Sequence, residues 1–471
     1  MGERSKEKRL LKNTALYAVS NFGAKILIFL IVPLYTYYLT TSEFGTADTV
    51  ISIVNVLAPI SVLSIHEGLL RWLLKSDEDD SIIIWTGLKI YAVSALMFDV
   101  IACIVTILIG WQYWFDFIIL LAVLSFQNVM QFIARGLKKN KCFAISGVIY
   151  TIVMLILNIL LIVFLKQGVI GMLRSMSIAH FISGLYILLI IKDYFILDFK
   201  AFDSILAKKM LSYSCLLVPN AISWWVMNTS DKIMLTVIIG SSFTGIYSVA
   251  CKFPSIMNAV HTLFYQAWQE QAVIEYDSES RDAYYTKIFN IYMKLSSSLI
   301  IVFIPLTKVF INLFMSDSYK ISYQYVSILY LGSLFHSFSN FYGTGYISAK
   351  DPKNATITST IGAAINCIIN LLFIKVIGVW AACISTLAGY AIVYLIRVFQ
   401  TRKYYKIKLD TRSFLILISI AVVYSVIVIF ADIKSCILMT VVAIALFTNF
   451  NLLILKNSIG LVKKKLNNLR R

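Results

Sequence analysis

The chain has 471 residues, of which 59% are hydrophobic and 14% are charged, and its formal net charge at pH 7 is +18. Soluble domains carry about 25% charged residues, so this composition excludes a soluble fold. It predicts an all-α integral membrane protein.

Fourteen apolar segments follow one another along the chain. Each is long enough to cross a bilayer, which takes about 20 residues. Because the number is even, both termini are predicted on one side of the membrane. The predicted spans cover 14–38, 46–72, 82–109, 113–135, 142–166, 169–191, 210–239, 243–270, 284–312, 319–348, 354–376, 378–399, 413–430 and 436–455.

The Lys and Arg residues favour alternate loops. With the N-terminus in the cytoplasm, and with residues near span ends assigned to the adjoining loop, 31 of the 42 basic residues lie in inner loops and tails, seven lie within spans and four lie in outer loops. This distribution follows the positive-inside rule. It predicts a multi-pass protein of the bacterial cytoplasmic membrane with both termini cytoplasmic. It also explains the net charge without a nucleic-acid partner, and the basic tails are suited to contact anionic membrane lipids.

The loops favour transport over catalysis. No outer loop exceeds about ten residues, so none can hold an acceptor-binding domain. The sequence has no Gly-x-x-x-x-Gly-Lys-Ser/Thr phosphate-binding motif, and its seven cysteines include no Cys-x-x-Cys pair. We interpret the acidic run 77–80 as a solvated turn rather than a metal site. The sequence therefore predicts a transporter with no metal and no cofactor.

A weak internal repeat divides the chain. The tetrapeptides ending at Gly45 and Gly245 are 200 residues apart, and the Gly-Val pairs at Gly168 and Gly378 are 210 residues apart. Similar spacing over six spans predicts two homologous lobes around a central cavity, although chance similarity in apolar sequence is the alternative. The predicted parts are an N-lobe of 1–196 with spans 1–6, a C-lobe of 197–400 with spans 7–12, and 401–471 with spans 13 and 14 and a basic tail.

Prolines occupy corresponding spans of the two predicted lobes. Pro33 and Pro219 lie in spans 1 and 7, and Pro59 and Pro254 lie in spans 2 and 8. A proline inside a helix removes a hydrogen bond and kinks it. These kinks suit helices that move during alternating access, although packing kinks without motion are equally compatible with the pattern.

Basic residues within the spans predict an anionic substrate, because an ionisable group in a membrane helix is costly and usually faces a wet cavity or a partner. Tyr17, Asn21 and Lys25 are spaced four apart and form one polar stripe on span 1. Lys252 has a similar polar setting on span 8. We predict that these residues bind substrate, with Arg174 and Lys232 completing the cationic lining. The alternatives are internal ion pairs or snorkelling side chains.

Two further polar groups suggest roles other than substrate binding. Glu67 and Arg71 are four apart near the inner end of span 2, which predicts an intrahelical ion pair that closes a gate or stabilises the helix. Asp231 on span 7, with Asn366 and Asn370 on span 11, offers the oxygen ligands that a hard coupling cation takes. A simple contact between Asp231 and Lys232 is the alternative to that cation site.

Several stretches resemble the Wzx-type flippases of the polysaccharide transport family, in the multidrug/oligosaccharidyl-lipid/polysaccharide exporter superfamily. The similar stretches are LKNT at 11–14, FLIVPLYTYYLTTSEFGTADTV at 29–50, NTSDKIML at 228–235, KFPSIMNAV at 252–260 and FYGTGYISAKDPKNA at 341–355. The resemblance implies twelve helices in two lobes plus two more. It also implies translocation of an undecaprenyl-diphosphate-linked oligosaccharide repeat unit to the outer leaflet, with a polymerase and other assembly proteins as partners. In the related lipid II flippases, basic residues on helices 1 and 8 are implicated in substrate binding, which carries over to Lys25 and Lys252.

Other cargoes fit the same fold. A lipid II or teichoic-acid precursor flippase needs the same fold and charge and differs only in the glycan. A multidrug antiporter needs an acidic, aromatic cavity for cationic drugs, which the excess of cations in the spans disfavours. The resemblance thus implies a flippase for capsule, exopolysaccharide or O-antigen assembly, with these two transporters as the alternatives.

Overall fold

A computed structural model describes residues 31–75, 78–195, 202–349 and 351–452. These ranges contain helices and no β-strand. In chain order the helices are α1 (Val32–Tyr38), α2 (Thr41–Ser61), α3 (Ile65–Lys75), α4 (Asp80–Leu108), α5 (Trp114–Gly136), α6 (Asn140–Asn158, continued by a π-helix over Ile159–Phe164), α7 (Gly168–Ile190), α8 (Ser204–Cys215), α9 (Val218–Ile238), α10 (Ser241–Ile274), α11 (Arg281–Phe314), α12 (Asp317–Lys320), α13 (Tyr323–Ser348), α14 (Pro352–Ile377), α15 (Val379–Gln400), α16 (Thr411–Phe430) and α17 (Ile433–Phe450).

Ten of the described helices are long and apolar enough to cross a membrane. Large apolar side chains on them face outward, among them Leu108 and Phe430, which are 80% and 85% exposed. Soluble proteins rarely expose apolar surface on this scale, so the chain is a multi-pass membrane protein. The predicted spans 2–14 are each found as helices in the structure, and the prediction of an all-α membrane fold is confirmed.

Two predicted spans are interrupted rather than continuous. Span 2 consists of α2 and α3, because the helix stops after Pro59 and both Leu63 and Ser64 adopt the left-handed region, with φ of 52° and 51°. Residues with a Cβ adopt that region only at a cost. Span 7 is divided between α8 and α9, and Pro219 lies in the first turn of α9.

The remaining prolines differ in effect. Pro33 lies in the first turn of α1, where its missing N–H costs no helical hydrogen bond. Pro254 lies inside α10, which continues through it as one helix of 34 residues. The predicted kinks at corresponding positions therefore become two helix starts, one break and one unbroken helix.

The described residues form two compact units, which divide between Ser248 and Val249 within α10. The first unit has an aliphatic core in which Leu69, Ile84, Ile133 and Met210 from α3, α4, α5 and α8 are fully buried. Burial of such side chains contributes about 1.5–3 kcal/mol each in water, and here it fixes how the helices pack. The boundaries of the homologous lobes stay a prediction, since a compact unit is not the same as a repeat.

The second unit has an aromatic core. Trp268 stacks on Phe341 with ring centroids 4.1 Å apart, and Phe264 stacks on Tyr292 at 3.9 Å. The indole N–H of Trp268 donates to the hydroxyl of Thr344 at 3.0 Å. These contacts fasten α10 to α11 and α13.

The last two helices pack on α11. The Lys308 ammonium donates to the carbonyl oxygens of Val428 and Ala431 at 2.7 Å each, at the end of α16 where carbonyls lack helical partners. Asn451 donates to the hydroxyl of Ser298 at 2.9 Å. Lys308 is therefore a helix-capping residue that holds α16 against α11.

Candidate functional site

The first turns of α2 and α10 are in direct backbone contact. A Cβ added to Gly45 would lie 1.8 Å from the carbonyl oxygen of Ser241, and a Cβ added to Gly245 would lie 2.0 Å from the carbonyl oxygen of Thr41. The two contacts are reciprocal. Gly45 and Gly245 are 200 positions apart, and so are the residues that they contact, Ser241 and Thr41. Only glycine allows helices to approach this closely. The contact joins the two tetrapeptides whose spacing predicts the repeat, and the repeat itself stays a prediction.

Replacing Gly45 with alanine is expected to destabilise the protein, because the methyl group has no space beside the Ser241 carbonyl. Overpacking of this kind costs about 1–3 kcal/mol. The measurement is the thermal melting midpoint of the purified protein in detergent. Gly332→Ala is the matched control, since its Cβ would meet nothing closer than 3.6 Å. Equal midpoints for the two variants would contradict the close contact.

A buried ion pair lies about one turn beyond the glycines of these helices. The Lys232 ammonium on α9 is 2.6 Å from Oδ2 of Asp48 on α2, and their side chains are 16% and 5% exposed. The hydroxyl of Ser248 on α10 donates to the same carboxylate oxygen at 2.6 Å. Asp48 therefore joins three helices through one carboxylate. Removing one member of a buried pair costs more than removing both, because the remaining charge stays buried.

Hydroxyl groups also connect the same three helices. The hydroxyl of Thr236 is 2.6 Å from that of Thr49 and 2.8 Å from that of Thr244. At the first turns, the Ser42 and Ser241 hydroxyls are 2.7 Å apart. We call these contacts, with the glycine crossing and the ion pair, the α2/α9/α10 junction. Polar and small residues form it, and they can separate without exposing a large apolar surface.

The orientation of α2 in the junction is set by its N-terminus. Thr40 and Glu43 form a capping box in which each side chain accepts from the backbone N–H of the other residue, at 3.2 and 2.9 Å. The Trp225 indole N–H of α9 donates to the Ser52 carbonyl at 2.8 Å further along. This hydrogen bond holds α2 and α9 together at a second point, in addition to the ion pair of Asp48 and Lys232.

Exchanging the two charges tests the ion pair. Asp48→Lys and Lys232→Asp alone each place two like charges side by side, and each is expected to lower stability and transport strongly. The double exchange restores opposite charges and is expected to recover part of both, which a double-mutant cycle quantifies. Purely additive losses in melting midpoint and in surface polymer would show that the pair contributes nothing.

The predicted substrate-binding residues have different fates. Tyr17, Asn21 and Lys25 lie outside the described residues. Lys252 is half-buried on α10, one turn after Ser248. Lys232 forms an ion pair with Asp48, which is the alternative to a substrate-binding role given above.

Arg174 is also engaged in an ion pair. Its Nε on α7 lies 2.8 Å from Oδ1 of Asp116 on α5, with the arginine side chain 46% exposed and the aspartate 7% exposed. The contact ties these helices together. A substrate role for Arg174 and Lys232 stays a prediction, and in this conformation both cations already have a carboxylate partner.

The residues predicted to hold a coupling cation belong to both compact units. Asp231 lies in the first unit and accepts from the Tyr247 hydroxyl at 2.9 Å. Asn366 and Asn370 lie on α14 in the second unit, where Asn370 donates to Asn366 at 3.4 Å and Asn366 donates to Ser385 at 3.2 Å. The asparagines are thus brought together. Among the described residues, no group of three His, Cys, Asp or Glu side chains could hold a metal ion.

The predicted pair of Glu67 and Arg71 is not formed in the described structure. Both residues lie on α3, and no ion pair within 4 Å joins them. The Arg71 guanidinium instead lies over the Tyr213 ring of α8, 4.2 Å from its centroid. An ion pair near the surface has little net energy, so a cation–π contact can replace it. This explains why Arg71 contacts Tyr213 instead of Glu67.

Sequence reasoning missed Arg397 on α15. This residue is 4% exposed and donates to Ser339, Thr358 and Ser359 at 2.9–3.1 Å. No carboxylate among the described residues lies within ion-pair distance of its guanidinium. Its position near the inner end of span 12 made it look like a topology signal. A buried cation held only by neutral acceptors adds positive potential to this end of the second unit.

The sequence matches the family model for polysaccharide biosynthesis proteins over residues 10–269, which is more than half of the chain. The chain belongs to the polysaccharide biosynthesis protein family. No curated protein sequence matches it significantly.

Solved structures show which fold this polysaccharide biosynthesis protein has. It is similar to the lipid II flippase MurJ in an inward closed conformation, with a TM-score of 0.71 and 14% identity, covering 94% of this chain and 100% of that one. An inward-facing multidrug resistance MATE family transporter of the MOP superfamily matches with a TM-score of 0.58 and 14% identity, covering 80% and 97%. An outward-facing transporter of that family matches with a TM-score of 0.57 and 14% identity, covering 83% and 95%.

These likenesses assign the MOP-superfamily fold. The predicted relationship to polysaccharide flippases agrees with the family match. The prediction of a transporter rather than an enzyme agrees with both comparisons. Lipid II and drugs are the cargoes of those other proteins.

Proposed function

We propose that this protein is a flippase that moves undecaprenyl-diphosphate-linked oligosaccharide repeat units from the inner to the outer leaflet for capsule, exopolysaccharide or O-antigen assembly. The family match supports a role in polysaccharide biosynthesis, and the fold supports transport. The observation that carries the proposal is the α2/α9/α10 junction, in which Asp48 joins three helices through Lys232 and Ser248.

The position of Lys252 suits a diphosphate site. It follows Ser248 by one helical turn on α10, which is about 6 Å along the axis at 1.5 Å per residue. With the chain oriented as the positive-inside rule predicts, Lys252 lies on the cytoplasmic side of the junction. A cation there neutralises a phosphate that has entered from the inner leaflet. Lys25 on predicted span 1 is proposed to contribute a second cation.

The junction suits alternating access. While Asp48 and Lys232 stay paired and the glycines stay in contact, the first turns of α2 and α10 leave no passage between them. Release of cargo to the outer leaflet then requires the ion pair and the hydroxyl contacts to separate. The cost of leaving two charges unpaired falls when water enters as the helices part. We propose that the junction is the outer gate.

Depletion of the protein in its native host tests the cargo. Mass spectrometry of the lipid fraction is expected to show an accumulating polyprenyl diphosphate that carries one oligosaccharide repeat unit, while surface polymer disappears. Restoring the protein should clear the intermediate. Unchanged lipid-linked intermediates together with normal polymer would overturn the proposal.

A lipid II or teichoic-acid precursor flippase is the second candidate, because the MurJ likeness spans nearly all of this chain. In that case lipid II or a teichoic-acid precursor would accumulate on depletion instead. A multidrug antiporter is less well supported, since Lys252 and Lys232 are cations where a cationic drug needs acids. Drug resistance that falls on depletion, without any lipid intermediate, would favour the antiporter.

The energy source is a further proposal. Asp231, and separately the pair of Asn366 and Asn370, offer oxygen ligands for a coupling cation. In proteoliposomes, Asp231→Asn is expected to abolish a dependence of transport on the cation gradient and to leave cargo binding intact. Polymerase and other assembly proteins are proposed as partners on the ground of the family alone.

A further inference from the structure

A cavity of about 280 Å³ lies in the second unit between α13, α15 and the connector from α15 to α16. Its walls include Tyr342 on α13, Tyr394 on α15 and Tyr405 in the connector to α16. Arg402 is the charged residue that lines it, and Val398 and Ile407 add apolar surface. The volume is near the lower limit of small-molecule sites, about 300–1,000 Å³. It fits a headgroup and is too small for an oligosaccharide.

The connector that closes the cavity is firmly held. Asp410 pairs with Lys294 of α11 at 2.6 Å, and the Asn290 amide donates to the Lys408 carbonyl at 2.9 Å. The hydrogen bond from Lys294, with those from Ser413, holds the pKa of Asp410 at about 2. This carboxylate is therefore ionised and occupied at neutral pH. The cavity is preformed and does not depend on a ligand to order its wall.

Two donors of the cavity point to an oxyanion. The Tyr405 hydroxyl is used, since it donates to the Tyr342 carbonyl at 2.9 Å. The Tyr394 hydroxyl makes no hydrogen bond to a described residue. The Arg402 guanidinium lies 4.9 Å from the Phe399 ring centroid and makes no ion pair with a described carboxylate. A phenol and a guanidinium of this kind both donate to phosphate oxygens.

The electrostatic surroundings strengthen this assignment. Arg397, whose guanidinium is buried, comes one helical turn before Thr401 in the chain, and the Thr401 hydroxyl donates to its carbonyl at 2.7 Å. Two described acids belong to the connector or contact it, and both are engaged, Asp410 with Lys294 and Asp351 with Tyr404 and Lys403. Positive potential without a competing carboxylate attracts an anion.

The cavity lies at the ends of two candidate membrane spans, which points to a membrane lipid as the source of the anion. Arg402 is the penultimate residue of a candidate membrane-spanning segment, Val379–Lys403, and the next one begins at Thr411. Tyrosines and cations at a span end are typical of the membrane interface. Basic pockets between spans on the cytoplasmic side bind anionic headgroups, and the predicted orientation puts this end there.

We propose that the cavity bounded by Tyr394, Arg402 and Tyr405 binds the phosphate headgroup of an anionic glycerophospholipid from the inner leaflet. Arg402 and Tyr394 donate to the phosphate oxygens, and Val398 and Ile407 contact the glycerol and first acyl carbons. This site is separate from the proposed cargo site at Lys252. It does not require that the proposed cargo be correct.

Native mass spectrometry of the purified full-length protein tests the site, with phosphatidylglycerol or phosphatidylcholine added to the detergent. We expect phosphatidylglycerol to be retained in preference. Arg402→Gln should weaken that binding at least tenfold, because charge-assisted hydrogen bonds are among the stronger contacts. Tyr394→Phe, which removes only a hydroxyl, should weaken it about twofold to fivefold. Lys406→Gln is the matched control, since it removes an exposed charge from the same connector without lining the cavity.

Several outcomes would overturn the proposal. If Arg402→Gln and Lys406→Gln weaken phosphatidylglycerol binding equally, the attraction is a general property of the basic surface. If the protein retains the two lipids equally, the site does not distinguish an anionic headgroup from a zwitterionic one. Inorganic phosphate or glycerol 3-phosphate that binds as well as phosphatidylglycerol would make this a free-anion site. Polyprenyl diphosphate that displaces phosphatidylglycerol would assign the cavity to cargo. If Arg402→Gln fails to fold, Tyr394→Phe alone decides, and unchanged retention then counts against the site.

Discussion

A disulfide between cysteines introduced as Ser42→Cys and Ser241→Cys should reduce transport to background and should be fully reversible by a reductant. The two hydroxyl oxygens are 2.7 Å apart, and sulfur atoms at these positions need only a small shift to reach a bond of about 2.05 Å. Ser42 is exposed, so oxidant and reductant have access. If the junction is the outer gate, the bond holds it shut. The measurement is surface polymer in cells, or flipping in proteoliposomes, before and after reduction.

The experiment needs a background in which the seven native cysteines are replaced. Each single cysteine variant is the control for the substitutions themselves and should transport normally under oxidant. Cross-linking is confirmed by a reducible change in gel mobility after a protease site is placed between α2 and α10. Full transport by the cross-linked protein would show that the first turns of α2 and α10 stay together throughout the cycle.

Lys252→Ala is expected to lower flipping at least tenfold while the protein remains folded. The half-buried ammonium is proposed to pair with a phosphate of the cargo, and loss of a charge-assisted contact has an effect of this size. Lys252→Arg keeps the charge and should retain most activity. The measurement is surface polymer at matched protein level, with binding of polyprenyl diphosphate by the purified protein as the second readout.

Lys434→Ala serves as the control for loss of a lysine, because this side chain is exposed at the start of α17. Combining Lys252→Ala with Lys25→Ala should abolish export. Normal polymer in the double variant would rule out the cationic cargo site. It would leave the predicted outer gate intact, so the two parts of the mechanism can fail separately.

The helices were largely predictable because their signal is local. Apolar runs of about 20 residues predict spans by themselves, and spans 2–14 appear within a few residues of their expected limits. The break after Pro59 was not predictable to the residue. It depends on Leu63 and Ser64 taking a left-handed backbone conformation, for which neither residue type gives a signal.

The pairing of side chains was harder to predict than their presence. Lys232 was recognised as an intramembrane cation, but its partner Asp48 is 184 positions away and is reached only because Gly45 and Gly245 let two helices touch. The sequence did single out these two glycines, because they occupy corresponding positions in two similar tetrapeptides 200 residues apart. Arg397 gave the opposite problem: position near a loop suggested topology, whereas packing against Ser339 and Thr358 buries it.

The glycine crossing also has an evolutionary consequence. A reciprocal contact between two copies of one motif has the geometry of a twofold homodimer interface, here fused into a single polypeptide. Such an interface constrains its halves together, so a larger residue at position 45 is expected to be accompanied by a compensating change near position 241. The same change at position 245 would need its compensation near position 41. Comparison of related sequences should therefore show co-variation between positions that belong to different copies of the repeat.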